Sequence, residues 1–427
     1  MIDQLIKSVR ECFEGVEDPR EDNTTYKIKD LLNLAFAMFH LKDRSLSVFR
    51  TQQDIRAENL ERVYGVKDLP GDTAFREGID KIPPKDLHNI LTRLLSFLLL
   101  RGVFKKRRVL GGHYTVVSVD GTGHYCSGKK SCPQCLVKNH KNGQQTYYHQ
   151  MLGAVSVHPD ESTVFPVACE AIVKQDGSTK NDCELNASKR IIPKIREAFG
   201  EEEQIIAVFD ALYINGPHIE ALADESLSYI IGTKGKTYVD VQAKQLRENQ
   251  QISTVQWETK DSLCTAYFAN KQILNGQFPD TLVNYFEYVE INKETTEQTF
   301  YSTWITDITI TEENVAELVA VARSRWKIEN ETFNTLKNQG YHFEHNYGHG
   351  KQFLATNFAI LTFVAFMIDQ IAQHLDEDFQ AAKQYCKTFK NLWEKIRTVF
   401  YLLPTMSMNA VYRFIATGKQ VRMPPLQ

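Results

Sequence analysis

Three acidic residues stand where a folded chain seldom places them. Asp120 closes the apolar run of "VVSVDGTG", residues 116–123, and Asp210 closes the run Ile205–Phe209 in "IIAVFDALYING". Strand ends in open α/β sheets line the crevice where ligands sit. Two aspartates there, on strands of one sheet, point to a site, whereas one alone reads as a cap for the turn that follows. Glu329 is the third. The apolar residues Val315, Leu318, Val319, Ala322, Trp326, Phe333 and Leu336 recur at helical spacing, and Glu329 falls on their stripe. A carboxylate on an inward helix face costs free energy unless it is paired or bound to a cation. If the role is structural, its partner is Arg325, four residues earlier. Glu331 lies about 200° around the helix from Glu329 and reads as a solvated surface acid. Three hard oxygen donors match what Mg²⁺ or Mn²⁺ accepts. Two such ions on shared carboxylates activate a water or hydroxyl and stabilise the leaving oxygen of a phosphodiester.

A second constellation lies in "HYCSGKKSCPQCLVKNH", residues 124–140. Cys132 and Cys135 have the two-residue gap of a zinc knuckle. Cys126 and His140 complete a donor set for a structural Zn²⁺ within residues 124–149, with His124 and His149 competing for the place of His140. The alternative is a group of reduced thiols in a basic loop. His149, opening a predicted strand, reads as a hydrogen-bonded edge histidine. "HFEHNYGHG", from His342, lacks metal-ligand spacing and reads as a polar loop. Trp257 and Trp304 read as core aromatics in preference to platforms for an unpaired base.

The elements that must position these groups follow from periodicity. Residues 1–110 read as helical, with apolar helical spacing in "YKIKDLLNLAFAMFHLKD" and "DLHNILTRLLSFLLLRG". Residues 111–233 alternate. "YTVVSVDG" is a strand ending at Asp120, and "HQMLGAVSVH" and "STVFPVACEAIV" are two more; "DCELNASKRIIPKIREAFG" is a helix, "QIIAVFDALY" a buried strand, "GPHIEALAD" a short helix and "LSYIIGTK" a further strand. The expected outcome is an α/β fold, a mixed sheet flanked by helices. From 234 to 309 apolar and polar residues alternate and helical spacing disappears, which predicts a β-rich insertion. A long helix is expected from near Thr311, with Glu312 and Glu313 favourable in its first turn, to near Gly340, within a segment 310–345. Residues 346–427 read as helical again.

Bulk properties bound the function. The 427 residues suffice for two or three domains. Acids and bases throughout "MIDQLIKSVRECFEG" exclude a signal peptide there, and the eight unevenly spaced cysteines do not read as a disulfide scaffold, so a cytoplasmic protein is expected. "FLATNFAILTFVAFMI" is short for a membrane span and reads as a buried helix, with no membrane partner. The net charge is −3, but residues 101–149 hold nine Lys or Arg and a single acid, Asp120, leaving 41 basic and 52 acidic residues elsewhere. A basic patch beside a lone carboxylate suits a polyanion brought to an acid. Lys129, Lys130, Lys138 and Lys141, around the cysteines, are placed to touch DNA phosphates.

The order Asp, Asp, Glu, with a strand-rich insertion before the Glu, resembles the DDE transposases of bacterial insertion sequences. The stretches that carry the likeness are "VSVDGTG", "AVFDALY", with its D-x-x-Y from Asp210 to Tyr213, and "RSRWKIENETFNTLK". One branch of that family bears Y-x2-R-x3-E-x6-K. Arg325 and Glu329 fit it, whereas Ala322 stands at the tyrosine and the lysine comes one residue late, at Lys337. The resemblance implies a ribonuclease H-like catalytic domain in which Asp120, Asp210 and Glu329 hold Mg²⁺ or Mn²⁺. It implies nicking of double-stranded DNA at an element's terminal inverted repeats and attack of the freed 3′-OH on target DNA. Arg325, Lys327 and Lys337 would hold phosphates, residues 1–110 would bind DNA, and a homodimer would assemble on DNA in a bacterial cytoplasm. Two other readings are a transposase-derived DNA-binding protein without catalysis and a metal-dependent nuclease of the same fold. Intact acids argue against the first, and the insertion and helical N-terminal region against the second.

Overall fold

A computed structural model of the protein describes residues 1–20, 24–173, 183–405 and 407–418. Asp182, the first residue of the helix expected over 182–200, and residues 419–427 of the expected C-terminal helical region lie outside the described residues. Among the described residues, ten strands form one sheet: β1 (Tyr114–Ser127), β2 (Leu136–Asn139), β3 (Gln145–His158), β4 (Glu161–Ile172), β5 (Gln204–Phe209), β6 (Ser228–Gly232), β7 (Ser253–Glu258), β8 (Ser262–Asn275), β9 (Phe278–Asn292) and β10 (Gln298–Thr306). At its centre the order is β4-β3-β1-β5-β6. β3 is antiparallel to both β1 and β4, while β5 is parallel to β1 and to β6. This is the ribonuclease H-like arrangement, a mixed sheet flanked by helices. β5 is apolar residue after residue because both its faces are covered.

The sheet departs from the sequence-based expectation in two places. Asp120 does not end β1. The strand pairs with β5 only through Ser118, then leaves it and continues along β3 to Ser127, with Asp120 opposite Gly153. The glycines after Asp120 therefore lie within a strand, and most of the expected zinc-knuckle segment is hairpin, with β2 and β4 sharing the outer edge of β3. The segment 234–309 also opens with a helix, Tyr238–Glu248, whose N-terminus carries a reciprocal cap between Thr237 and Asp240. Its strands then run as an antiparallel meander, and β10 returns to pair with β6, Trp304 opposite Gly232. The segment's entry and exit touch: Thr233 N–H donates to Thr303 O at 2.9 Å. Trp304 stacks on Phe286 and Trp257 on Tyr288, so both are packing residues.

Helices from the two ends of the chain cover β4 together. The helix Leu354–Leu375 lies against β4, Ile28–His40 and Lys85–Leu100. It is long and apolar enough to cross a bilayer, yet 94% of its most apolar window is buried in the protein. Asp80 accepts the N–H groups of Lys351, Phe353 and Leu354 at 2.7, 2.9 and 2.9 Å, satisfying donors that a helix start leaves unpaired. Deeper in the core, Asp369 accepts from Lys42 Nζ at 2.6 Å and from Tyr341 Oη at 2.7 Å.

Candidate active site

Asp120 and Asp210 sit where two neighbouring parallel strands part. Ser118 is opposite Val208 at the last paired position, so each aspartate lies two residues beyond it on its own strand. The backbone fixes both side chains locally: Asp120 Oδ1 accepts Gly121 N–H at 2.8 Å, and Asp210 Oδ1 accepts Leu212 N–H at 2.8 Å, capping the short turn Ala211–Tyr213.

Glu329 reaches the same place from 209 positions further along the chain than Asp120. The expected continuous helix is in fact three pieces: an α-helix Val315–Arg323, a π-helical stretch Ile328–Phe333 and an α-helical turn Asn334–Asn338. A π-turn takes one residue more than an α-turn, which accommodates the extra residue between Glu329 and Lys337. Val315, Leu318, Val319, Ala322, Phe333 and Leu336 are buried as expected, but Trp326 is 45% exposed. The break between Arg323 and Ile328 turns Trp326 out of the stripe. Phe333 instead packs on the bare backbone of Gly153, where a Cβ would meet its ring at 3.2 Å.

Arg325 joins the acids. Its Nη1 lies 2.9 Å from Asp120 Oδ2 and its Nη2 lies 2.8 Å from Glu329 Oε1, while Ser118 Oγ donates to its carbonyl at 3.1 Å. The negative charge of Glu329 also bears on Asp120. Burial, opposed by Arg325 and reinforced by Glu329, pushes the Asp120 carboxyl up to about 7. The charge of Asp210 is felt at Arg325. Glu331 takes no part in this group and its charge acts on Lys327, but it is half-buried, whereas Glu329, expected on the inward face, is 48% exposed.

A fourth carboxylate, which sequence reasoning missed, lies beside these acids. Glu184 opens the helix Glu184–Phe199 and lies against Gly121, where a Cβ would stand 2.5 Å from its Oε1. Gln150 Nε2 donates to it, and the buried Tyr213 hydroxyl, which has no hydrogen-bond partner among the described residues, lies nearby. Its carboxyl is raised, first by burial and then by the charge of Asp210. In the sequence it was one of many acids in a helix's first turn, with nothing to single it out.

Residues 111–367 match the transposase DDE domain family. The chain belongs to the DDE transposase family. No curated protein matches it by sequence. Among solved structures, a cryo-EM structure of a piggyBac transposase synaptic complex with hairpin DNA aligns over 99% of this chain and 83% of its own, with 12% identity and a TM-score of 0.41.

Around the acids of this transposase domain, the basic residues divide. Lys129, Lys130, Lys138 and Lys141 are exposed on the hairpin of β1, β2 and β3. Lys337 pairs with Glu344 at 3.0 Å. Lys327, expected to hold phosphate, is buried and donates to Glu161 O at 2.6 Å, because the π-helical segment lays it on the β3–β4 turn. The expected zinc ligands are also corrected. Cys132 and Cys135 gather with His149 and His349, not with Cys126 and His140. Tyr125 is opposite His149 across β1 and β3, and neighbouring residues of a strand face opposite ways, so Cys126 points to the other side. His140, at the far hairpin turn, is exposed and bonded to Thr146 Oγ1 at 2.7 Å. His149 is thus more than an edge histidine, and "HFEHNYGHG" more than a polar loop.

Proposed function

We propose that this protein is an active DNA transposase that cleaves phosphodiester bonds at the ends of its own element and joins the freed 3′-OH to target DNA. The observation that carries the reading is the meeting of Asp120 and Glu329 on one guanidinium, with Asp210 at the matching level of the next strand. The donor set fits Mg²⁺ or Mn²⁺: hard carboxylate oxygens, one of them raised to about 7 by burial beside another acid, form a site that a dication relieves. The cation supplies Lewis acidity to the attacking and leaving oxygens.

The chain's own residues do the rest. Asp120 and Glu329 would hold the cation in place of the guanidinium they share, and Arg325 would then be free to hold the scissile phosphate bidentately. Asp210 is kept in place by its turn, and Glu184 holds negative charge behind it. The exposed lysines of the hairpin lie along the DNA backbone. The protein acts as a dimer assembled on double-stranded DNA in the bacterial cytoplasm, with residues 1–110 assisting DNA binding. The test uses purified protein, Mg²⁺ or Mn²⁺, and DNA bearing the inverted repeats that flank its gene. Cutting and joining are expected, and Asp210→Ala abolishes both while DNA binding persists. Wild-type cleavage by that variant would overturn the assignment. Cutting without any joined product would instead favour a nuclease.

A further inference from the structure

The side chains of Cys132, Cys135, His149 and His349 each direct one ligand atom to a common point, all within 4.8 Å of one another. The Sγ atoms of Cys132 and Cys135 are 3.5 Å apart. His149 Nε2 is 3.2 Å from the first and 3.4 Å from the second, and His349 Nδ1 is 3.8 Å from Cys135 Sγ. Thiolates at about 2.3 Å and imidazoles at about 2.0 Å from a tetrahedral ion are separated by roughly 3.3–3.8 Å. The four edges just given, 3.2–3.8 Å, lie within about 0.1 Å of that range. Two sulfurs 3.5 Å apart are also well beyond disulfide bonding.

The backbone is shaped for this grouping. Cys135 N–H donates to Cys132 O at 3.1 Å, and Cys132 N–H points at Cys135 Sγ at 3.3 Å, so the Cys-Pro-Gln-Cys turn folds both sulfurs inward. Cys135 and His149 are buried. His349 is brought in by a loop that needs two glycines beside it, Gly348 at φ 139° and Gly350 at φ 65°. Tyr125 lies edge-on to the His349 ring, with centroids 3.9 Å apart.

We propose that these four residues form a structural zinc(II) site of Cys2His2 type that clamps the β1–β3 hairpin to the loop after the Glu329 helix. Two of the ligands lie on the β1–β2 connection and one on β3, so they belong to the hairpin that continues β1 past Asp120. The fourth follows Lys337, and its loop is fixed on the far side by Tyr347 Oη donating to Asp43 O at 2.7 Å and Lys351 N–H donating to Asp80. The ion therefore holds together the strand that carries one acid and the segment that carries another, and it fixes the basic hairpin against the helical layer. Each thiol gives up its proton to solvent on binding, and the imidazoles bind neutral, so affinity falls in acid. The inference does not depend on DNA cleavage.

Protein purified from zinc-supplemented culture should contain about one zinc per chain, and X-ray absorption at the zinc edge should show two sulfurs near ~2.3 Å and two nitrogens near ~2.0 Å. Cys132→Ser with Cys135→Ser should lose the metal. His349→Ala should bind it at least about tenfold more weakly and expose the hairpin around residues 128–144 to protease. Cys126→Ser with His140→Ala should retain it in full. If the double cysteine variant does not fold, the absorption spectrum of the wild-type protein and the His349→Ala titration still decide. Wild-type protein without zinc, a spectrum with three sulfurs, a Cys132–Cys135 disulfide, or loss of zinc from the Cys126/His140 variant would each overturn the proposal.

Discussion

Asp120→Asn should abolish DNA cleavage and at the same time make the protein more stable in alkaline, metal-free buffer. The Asp120 carboxyl is raised from 3.8 to about 7, roughly 3 pH units, and each unit is worth about 1.4 kcal/mol. The folded-state value exceeds the unfolded one, so the folded protein holds this proton more tightly. The associated stability is fully present below pH 4 and is lost as pH rises through 7. At pH 8 the folded chain therefore bears about 4 kcal/mol for keeping Asp120 ionised, with the attraction of Arg325 already counted. The side chain is 17% exposed, so little of this is screened by solvent. Asparagine still accepts the Gly121 N–H and, being neutral like the protonated acid, escapes this cost; the charge-assisted bond to Arg325 that it forfeits is already inside the figure. The net gain is about 4 kcal/mol, or a rise of roughly 4 °C in melting midpoint for a chain of this length. At pH 5 the wild-type carboxyl is protonated, and the advantage should vanish or reverse. Mn²⁺ at pH 8 should raise the midpoint of the wild type and leave that of the variant unmoved. Thermal melts at the two pH values, with and without Mn²⁺, provide the assay. A variant less stable than wild type at pH 8 without metal, or equally shifted at both pH values, would refute the reasoning.

Glu329→Gln should eliminate cleavage while Glu331→Gln leaves it near the wild-type rate, measured on the same DNA; the opposite result would reassign the acid. Glu184→Gln should slow cleavage about tenfold with DNA affinity unchanged, since it removes a charge beside Asp210 that supports the ligands from behind. Replacing Lys129, Lys130, Lys138 and Lys141 by Gln should flatten the salt dependence of DNA binding by about 0.9 in log–log slope for each lysine that sits on a phosphate. An unchanged slope would remove the hairpin from the DNA path. In the helical core, Lys42→Ala should cost about 3–5 kcal/mol in urea unfolding, because Asp369 would keep a buried charge without its cation.

The features of this fold that depend on local period were readable in the sequence, and those that depend on distant chain were not. Both aspartates were singled out because an acid after an apolar run is conspicuous; Glu329 was preferred to Glu331 on an inward-facing helical stripe, yet it is 48% exposed and Glu331 is the more covered of the two. The same spacing misplaced Trp326, since a helix-wide stripe assumes an unbroken α-helix and the chain spends an extra residue in a π-turn. The cysteine pair was visible from its two-residue gap, but its partners were not. His140 is near in sequence and far in space, while His349 is 214 positions from Cys135 and reaches it through a glycine-dependent loop. Cys126 failed on strand alternation, a property of register that sequence alone leaves open. Glu184 had no local signature, for its importance comes from the bare backbone of Gly121 beside it.

The joined ends of the segment between β6 and β10 have an evolutionary consequence. Thr233 and Thr303 are hydrogen-bonded neighbours although 70 positions separate them. Whatever lies between leaves and rejoins the sheet through one fixed doorway. Closing a longer loop across such a doorway adds only about 0.6 kcal/mol for each doubling of its length. Lineages can therefore lengthen, shorten or exchange this passage without disturbing β5 and its aspartate. The passage is free to diversify while the sheet that carries the acids stays the same.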